Sequence, residues 1–210
     1  LHPIGRAGGP PQVPVNLLGD FAGGSLYLVA GVLAALRSGR GQVVDAAIVD
    51  GAAHLTTLLH GLLATGAWRD ERGVNLLDTG APRYDVYETA DGGHMAVGAL
   101  EPAFFAEFLR LVGVSDGPGL HTDLTAAFAA RTRDEWVKVF AGSDACVAPV
   151  LSLGEAPRDP HLVARGTFAE RDGVVQPAPA PRFSATPATL GRPPSLPGAD
   201  TDDVLAEWEA

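Results

Sequence analysis

The chain has 210 residues, 46% of them hydrophobic, enough to bury a core in one large domain or two small ones. Fifteen basic against 25 acidic side chains give a formal charge of −10, and Lys138 is the only lysine, which argues against a nucleic-acid partner, since phosphate contact needs clustered cations. A single cysteine, Cys146, rules out an internal disulfide framework and a cysteine-based metal cluster, and fits a reducing, cytoplasmic setting.

The chain opens on Leu1 rather than methionine, with no basic-then-apolar leader, and so reads as processed or cut. Leu1 to Val15 is rich in proline and glycine and is expected to be an irregular loop. A helix is predicted from about Ala22 to Arg37, with Asp20 at the loop-to-helix junction as N-cap and Ser38-Gly39 as the stop. Asp20 is the one carboxylate of this stretch, and a helix start favours a negative charge there. The helix is apolar on nearly all faces, the pattern of a buried helix. Gly23, Gly24, Gly31 and Ala34 allow close approach of a neighbouring helix or a ligand. No stretch reaches the ~18 to 20 uninterrupted apolar residues of a membrane span, so no membrane is expected.

Gly41 to Ala46 reads as a strand and Ile48 to Thr65 as a second apolar helix, an order that suggests part of an α/β layer. His54 and His60 lie six residues apart, on different helix faces, and do not match metal-ligand spacing. The polar stretch Gly66 to Pro82 is expected to connect two parts of the molecule. From Arg83 the period becomes two, with Tyr84 and Val86 on one face and Asp85, Tyr87 and Thr89 on the other. A hairpin is predicted to turn at Asp91-Gly92 and to return through His94 to Gly98. Glu101-Pro102 then opens a helix, placing Glu101 at a strand-to-helix junction where it complements the helix dipole or acts chemically.

The helix Ala103 to Leu111 is expected to face Phe104, Phe105, Phe108 and Leu111 inward. Thr132 and Glu135 form a capping box for a helix with Trp136, Val139 and Phe140 on its apolar side. Cys146 to Leu151 reads as a short buried strand with an inert thiol. Asp159-Pro160 starts a helix that Gly166 stops, and Thr167 to Gly173 reads as a strand. The proline-rich segment Gln176 to Pro197 is expected to be extended and anchored by Arg182-Phe183. Thr201 to Trp208 is read as a terminal helix packing through Val204, Leu205 and Trp208.

Several blocks, in this order, carry a resemblance: Asn16-Leu17-Leu18-Gly19-Asp20-Phe21-Ala22-Gly23-Gly24; Gly41-Gln42-Val43-Val44-Asp45; Leu77-Asp78-Thr79-Gly80-Ala81-Pro82 with Tyr84-Asp85-Val86-Tyr87; and Gly98-Ala99-Leu100-Glu101-Pro102. Together with Ala145 to Val150 and Pro177 to Phe183, they resemble the α-methylacyl-CoA racemases of the family III CoA-transferase (CaiB/BaiF) superfamily over nearly the whole chain. The resemblance implies an α/β fold: an incomplete large Rossmann-like domain (residues 1–66), a small α+β domain (67–145) and a returning tail (146–210), in an interlocked homodimer. It implies an isomerase of fatty acid metabolism that interconverts (R)- and (S)-2-methylacyl-CoA. The α-proton is removed and returned through an enolate, which needs an acid/base group on each side. Asp20 matches one of these groups, and Glu101 matches a glutamate beside the histidine that serves as the other. Asn16 and Tyr84 match positions lining the substrate pocket. Coenzyme A is part of the substrate, so no separate cofactor or metal is implied.

None of the six histidines matches the partner histidine, which in the family lies upstream of the segment beginning at Leu1, so the chain taken alone is expected not to carry the two-base reaction. A transferase of the same superfamily, using the matching aspartate as nucleophile, is the alternative chemistry. A non-catalytic assembly subunit with exposed apolar surface is the alternative of another class.

Overall fold

In the computed structural model, which describes residues 1–209, the chain forms two compact units, Leu1–Val150 and a second from Leu151 onward. Leu1–Val15 has no regular structure. Helix begins at Leu17, earlier than Ala22. Leu17–Ser25 winds as a π-helix and continues directly into α1, Leu26–Ser38. The wide turns show in the Phe21 N–H donating to the Asn16 carbonyl at 3.3 Å and the Ser25 hydroxyl donating to the Asp20 carbonyl at 3.0 Å, each five residues back. Gly39, at φ 67°, ends α1 as the sequence predicts.

One feature was not anticipated, and the expected burial of α1 is corrected. The joined run Leu17–Ser38 is 22 residues long and apolar enough, by length and composition, to cross a membrane. A requirement for uninterrupted apolar residues overlooks it because Asp20, Ser25 and the glycines are spaced along it. Nor is α1 buried, since none of its residues is enclosed in this unit. Its support is one-sided, with Gly31 resting on Val44 and the π-helical segment resting on the next helix.

Gly41–Ala46 forms no strand, because no neighbour supplies a ladder. The second helix is broken in two, α2 (Ile48–His54) and α3 (Thr57–Ala64). At the break the hydroxyls of Thr56 and Thr57 donate to the carbonyls of Ala53 and His54, competing with the helical ladder.

The core lies in the rest of this unit. Strands β1 (Tyr84–Glu88) and β2 (His94–Gly98) form the predicted hairpin, with Tyr84 opposite Gly98, and β3 (Val147–Pro149) pairs antiparallel with β2. The observed alternation matches the sequence period, with Asp85 and Tyr87 inward and Tyr84 and Val86 outward. Helices α4 (Pro102–Val112), α5 (Leu120–Ala129) and α6 (Arg133–Phe140) cover the inner face.

α5 carries no cap that the sequence advertises, yet its Leu120, Leu124 and Phe128, at spacing four, are all buried. The Phe128 and Trp136 rings lie 4.9 Å apart, and the Trp136 indole N–H donates to the Phe128 carbonyl at 3.0 Å. The α6 capping box forms as predicted. Phe104 is only half-buried and stands outside the core cluster that Phe108 joins. β3 is partly exposed rather than buried, and Cys146 just before it is exposed.

In the second unit, α7 (Pro160–Arg165) starts at Asp159, whose carboxylate accepts from the Leu162 N–H, and stops at Gly166. β4 (Phe168–Arg171) pairs with β5 (Val174–Pro177) across Asp172-Gly173, both at positive φ, the geometry of a tight two-residue hairpin turn. β5 thus takes two residues, Gln176 and Pro177, from the segment expected to be irregular. Arg182 does anchor that segment, donating to the Gly166 carbonyl at 3.0 Å, whereas Phe183 is exposed. In α8 (Thr201–Glu209) the side chains of Val204, Leu205 and Trp208 are exposed rather than packed.

Trp136→Ala is expected to cost about 3–5 kcal/mol of stability, because the ring is fully enclosed and its N–H is paired, whereas Trp208→Ala is expected to move stability by less than about 0.5 kcal/mol. Urea unfolding of the two variants beside the parent checks the contrast.

Candidate active site

Asp20 lies in the first turn of the π-helical segment rather than at its cap. Asn16 occupies the N-cap position and makes no side-chain capping bond. The Asp20 carboxylate is exposed and has no hydrogen-bond or ion-pair partner among the described residues. A π-helical turn widens the spacing of successive side chains and often marks a functional position.

The turn is held by backbone-to-backbone packing. A Cβ on Gly51 would lie 1.8 Å from the Gly23 carbonyl oxygen, one on Gly23 would lie 2.8 Å from the Ala52 nitrogen, and Gly24 abuts the Ile48 side chain. These glycines therefore serve helix packing, not approach to a ligand. Asp20, Asn16 and Gly19 open onto a cavity of about 610 Å³ whose other walls are apolar, with Leu55 and Leu59 on one side and Leu1, Ile4 and Val13 on the other. None of the six histidines lines it.

Tyr84 opens elsewhere, onto a cavity of about 410 Å³ on the outer face of the small sheet, floored by Ala96, Gly98 and Ala148. Asp20 and Asn16 thus share one cavity and Tyr84 lines another. Glu101 lines neither. It is exposed at the N-cap position of α4, with extended backbone and Pro102 following, and its carbonyl accepts from the Phe105 N–H. Its charge is felt at Cys146, whose thiol is held above its ordinary pKa by partial desolvation first and by Glu101 and Asp144 next. The raised pKa keeps Cys146 a neutral thiol at pH 7 although the residue is exposed rather than buried as expected.

The connection before β1 is stapled from within. Asp78, buried, accepts from the backbone N–H groups of Gly73, Asn75 and Gly80 and from the Asn75 amide, while Asn75 in turn bonds the backbone of Arg69 and Glu71. The clamp holds Thr79 at φ 75° on the rim of the Tyr84 cavity, a conformation that is strained for a β-branched residue.

Two further groupings escape the sequence reading. The Tyr27 hydroxyl lies 2.6 Å from His54 Nδ1, joining α1 to α2. Asp85, on the inward face of β1, meets Arg6 at 2.8 Å and His121 at 3.2 Å. Beside it the Tyr87 hydroxyl donates to the Pro82 carbonyl at 2.6 Å, and burial, reinforced by the Asp85 charge, raises the pKa of its phenol. A carboxylate at an inward strand position was the available signal for the Asp85 cluster, because such a group needs a buried partner.

Comparison with known proteins places these features. CoA-transferase family III matches residues 1–201. The α-methylacyl-CoA racemases of Mus musculus and Homo sapiens are 42% and 40% identical to this chain over 99% of its length. The chain spans 59% of the length of either. Among solved structures, a CaiB/BaiF family protein from Brucella suis superposes with a TM-score of 0.72 at 21% identity, covering 98% of this chain and 59% of that one, which supports the fold.

Because Gly23 and Gly51 touch through their backbones, Gly51→Ala is expected to force the π-helical segment off α2, at a cost of about 3 kcal/mol or more. Gly61→Ala, with open space around its Cβ position, is expected to be neutral or stabilising. Thermal and urea unfolding of both variants, with hydrogen exchange at residues 17–25, measures the difference.

Proposed function

Because the chain belongs to CoA-transferase family III, we propose that it serves as an α-methylacyl-CoA racemase, moving the α-hydrogen of a 2-methylacyl-CoA from one face to the other through an enolate. The observation that carries this reading is the identity to the mouse racemase, 42% over 99% of the chain. Asp20 is the acid/base group. It is exposed near the start of a helical run, beside a largely apolar cavity, and a helix start suits the negative oxygen of an enolate.

Asn16 shares that cavity and orients the thioester, and Tyr84 and Glu101 serve the same reaction from the small sheet and the start of α4. The second base is assigned to no histidine of this chain, since none lines the Asp20 cavity. Because Asp20 and Tyr84 open on separate cavities, we read the working form as a homodimer in which the Tyr84 face of one subunit meets the Asp20 cavity of the other.

Coenzyme A enters as part of the substrate, with no other cofactor. Leu17–Ser38 is read as a packing helix, because Gly23, Gly24 and Gly31 are matched to Gly51, Ile48 and Val44. The net charge of −10 opposes binding to nucleic acid or to an anionic membrane surface, and we read the protein as a cytoplasmic enzyme of fatty acid metabolism. Transferase chemistry is the second reading. It is favoured by the family's own name and by an exposed Asp20 carboxylate, whose attack on the thioester carbon would expel CoA thiolate and leave an aspartyl anhydride; the thiolate then attacks the aspartyl carbonyl, giving an aspartyl-CoA thioester and releasing the free carboxylate.

Incubation with a 2-methylacyl-CoA in heavy water, followed by mass spectrometry, tests the racemase reading. Where a second base is supplied, deuterium is expected to enter the α-position, with Asp20→Asn slowing exchange by about 10²-fold or more, whereas the chain taken alone is expected to exchange little. Exchange indifferent to Asp20→Asn would remove the assignment. An Asp20 adduct trapped by hydroxylamine or borohydride, without exchange, would replace racemase with transferase.

A further inference from the structure

The irregular segment Leu1–Val15 is fastened along its length. Arg6 reaches β1, its guanidinium lying 2.8 Å from Asp85 Oδ1 and donating to Oδ2 at 3.1 Å and to the Val86 carbonyl at 3.2 Å. The Asp85 side chain is 1% exposed and is fixed further by the Val86 N–H at 2.7 Å and by His121 Nε2 at 3.2 Å. Arg72 donates to the carbonyls of His2, at 2.7 Å, and of Gly9. Gly73, at φ 74°, lets the segment pass, since a Cβ there would lie 2.1 Å from the Ala7 nitrogen.

These fastenings have one visible product. Leu1, Pro3, Ile4, Val13 and Val15 stand as a wall of the cavity onto which Asp20 opens, opposite Leu55 and Leu59. Nothing in β1 requires a carboxylate at Asp85. An apolar residue would suit the inward face of the strand, and a buried charge is costly unless paired. The pair instead ties a segment 79 residues distant in sequence. A largely apolar lining that includes Asp20 matches a thioester whose reacting carbon sits at the acid and whose hydrocarbon chain lies against the apolar side chains.

We propose that Arg6 and Asp85 are positioning residues for an acyl-chain subsite: they hold Leu1–Val15 as a strap that closes the apolar cavity beside Asp20 over the hydrocarbon chain of the thioester. The identity of the ligand rests on the acyl-CoA reading above, while the strap and its tether rest on the contacts themselves. The strap grips methylenes and not the nucleotide, so its loosening changes how affinity grows with chain length.

Calorimetric titration of the protein with free CoA and with 2-methylacyl-CoAs of increasing chain length tests this in the parent, Arg6→Ala, Arg6→Lys, Asp85→Asn and Gly73→Ala, each shown to be folded by circular dichroism. In the parent each added methylene is expected to tighten binding by about three- to fourfold, as full burial of a methylene implies. Arg6→Ala, Asp85→Asn and Gly73→Ala are expected to reduce that increment to less than about twofold while free CoA shifts by less than about twofold, and Arg6→Lys is expected to recover part of it. Gly73→Ala displaces the strap through its backbone at Arg6 and Ala7 while leaving both side chains of the ion pair present, and Arg6→Ala alters a side chain that is mostly exposed, so the test survives if Asp85→Asn does not fold.

Unchanged increments in the variants, an equal loss for free CoA and every acyl-CoA, or no chain-length dependence in the parent would each overturn the proposal. α-Hydrogen exchange on the same samples reports separately on the racemase reading. With a second base supplied, lost increments without any exchange leave the strap standing and remove the racemase, whereas exchange with unchanged increments does the reverse.

Discussion

The carboxylate of Asp85 joins three parts of the fold that the chain order keeps apart. It sits on the inward face of β1, takes the guanidinium of Arg6 from the opening segment, and meets His121 on α5. A carboxylate with a side chain 1% exposed is tolerable only when its oxygens are occupied, and here Arg6, His121 and the Val86 N–H occupy them. The aromatic core of Phe108, Phe128 and Trp136 gives the small sheet its rigidity, and Asp85 transmits that rigidity outward to a segment with no secondary structure of its own. The wall of the Asp20 cavity is thereby referred to the most rigid part of the unit.

Asp20 is positioned by a different physical device, close approach of backbones. Gly23 lies against Gly51 with no room for a Cβ, so the π-helical segment and α2 are held at a fixed spacing although neither buries a large side chain at the crossing. The result is an unpaired carboxylate at the start of a helical run, facing apolar walls. The Asp20 carboxylate has no hydrogen-bond or ion-pair partner among the described residues, in contrast to Asp78 and Asp85, whose oxygens are engaged by backbone or side-chain donors, and to Asp159, which caps α7.

Much of this was legible in the residues. The period of two from Tyr84 and the Asp91-Gly92 turn specify the β1–β2 hairpin, Thr132 with Glu135 specifies the start of α6, and Asp159, Pro160 and Gly166 bound α7, because local chemistry alone determines these features. Features that depend on distant partners were not legible. Gly41–Ala46 has strand-forming residues but no neighbour to pair with, Thr56 and Thr57 break a helix through side-chain bonds that spacing does not reveal, and α5 is stabilised by burial of Leu124 and Phe128 rather than by caps. At the site, Asp20 and Glu101 were readable as junction carboxylates. The π-helical turn around Asp20, and the separation of its cavity from that of Tyr84, follow from tertiary packing. Arg6 and Asp85 each look ordinary until the fold brings them together.

The most direct test is an experimental structure of the protein with a 2-methylacyl-CoA, or its unreactive thioether analogue, bound. The account predicts the α-carbon at about 3–3.5 Å from an Asp20 carboxylate oxygen, with the hydrocarbon chain lying beneath Leu1–Val15 and Arg6 still paired to Asp85. An α-carbon remote from Asp20, with the chain seated elsewhere, would contradict it.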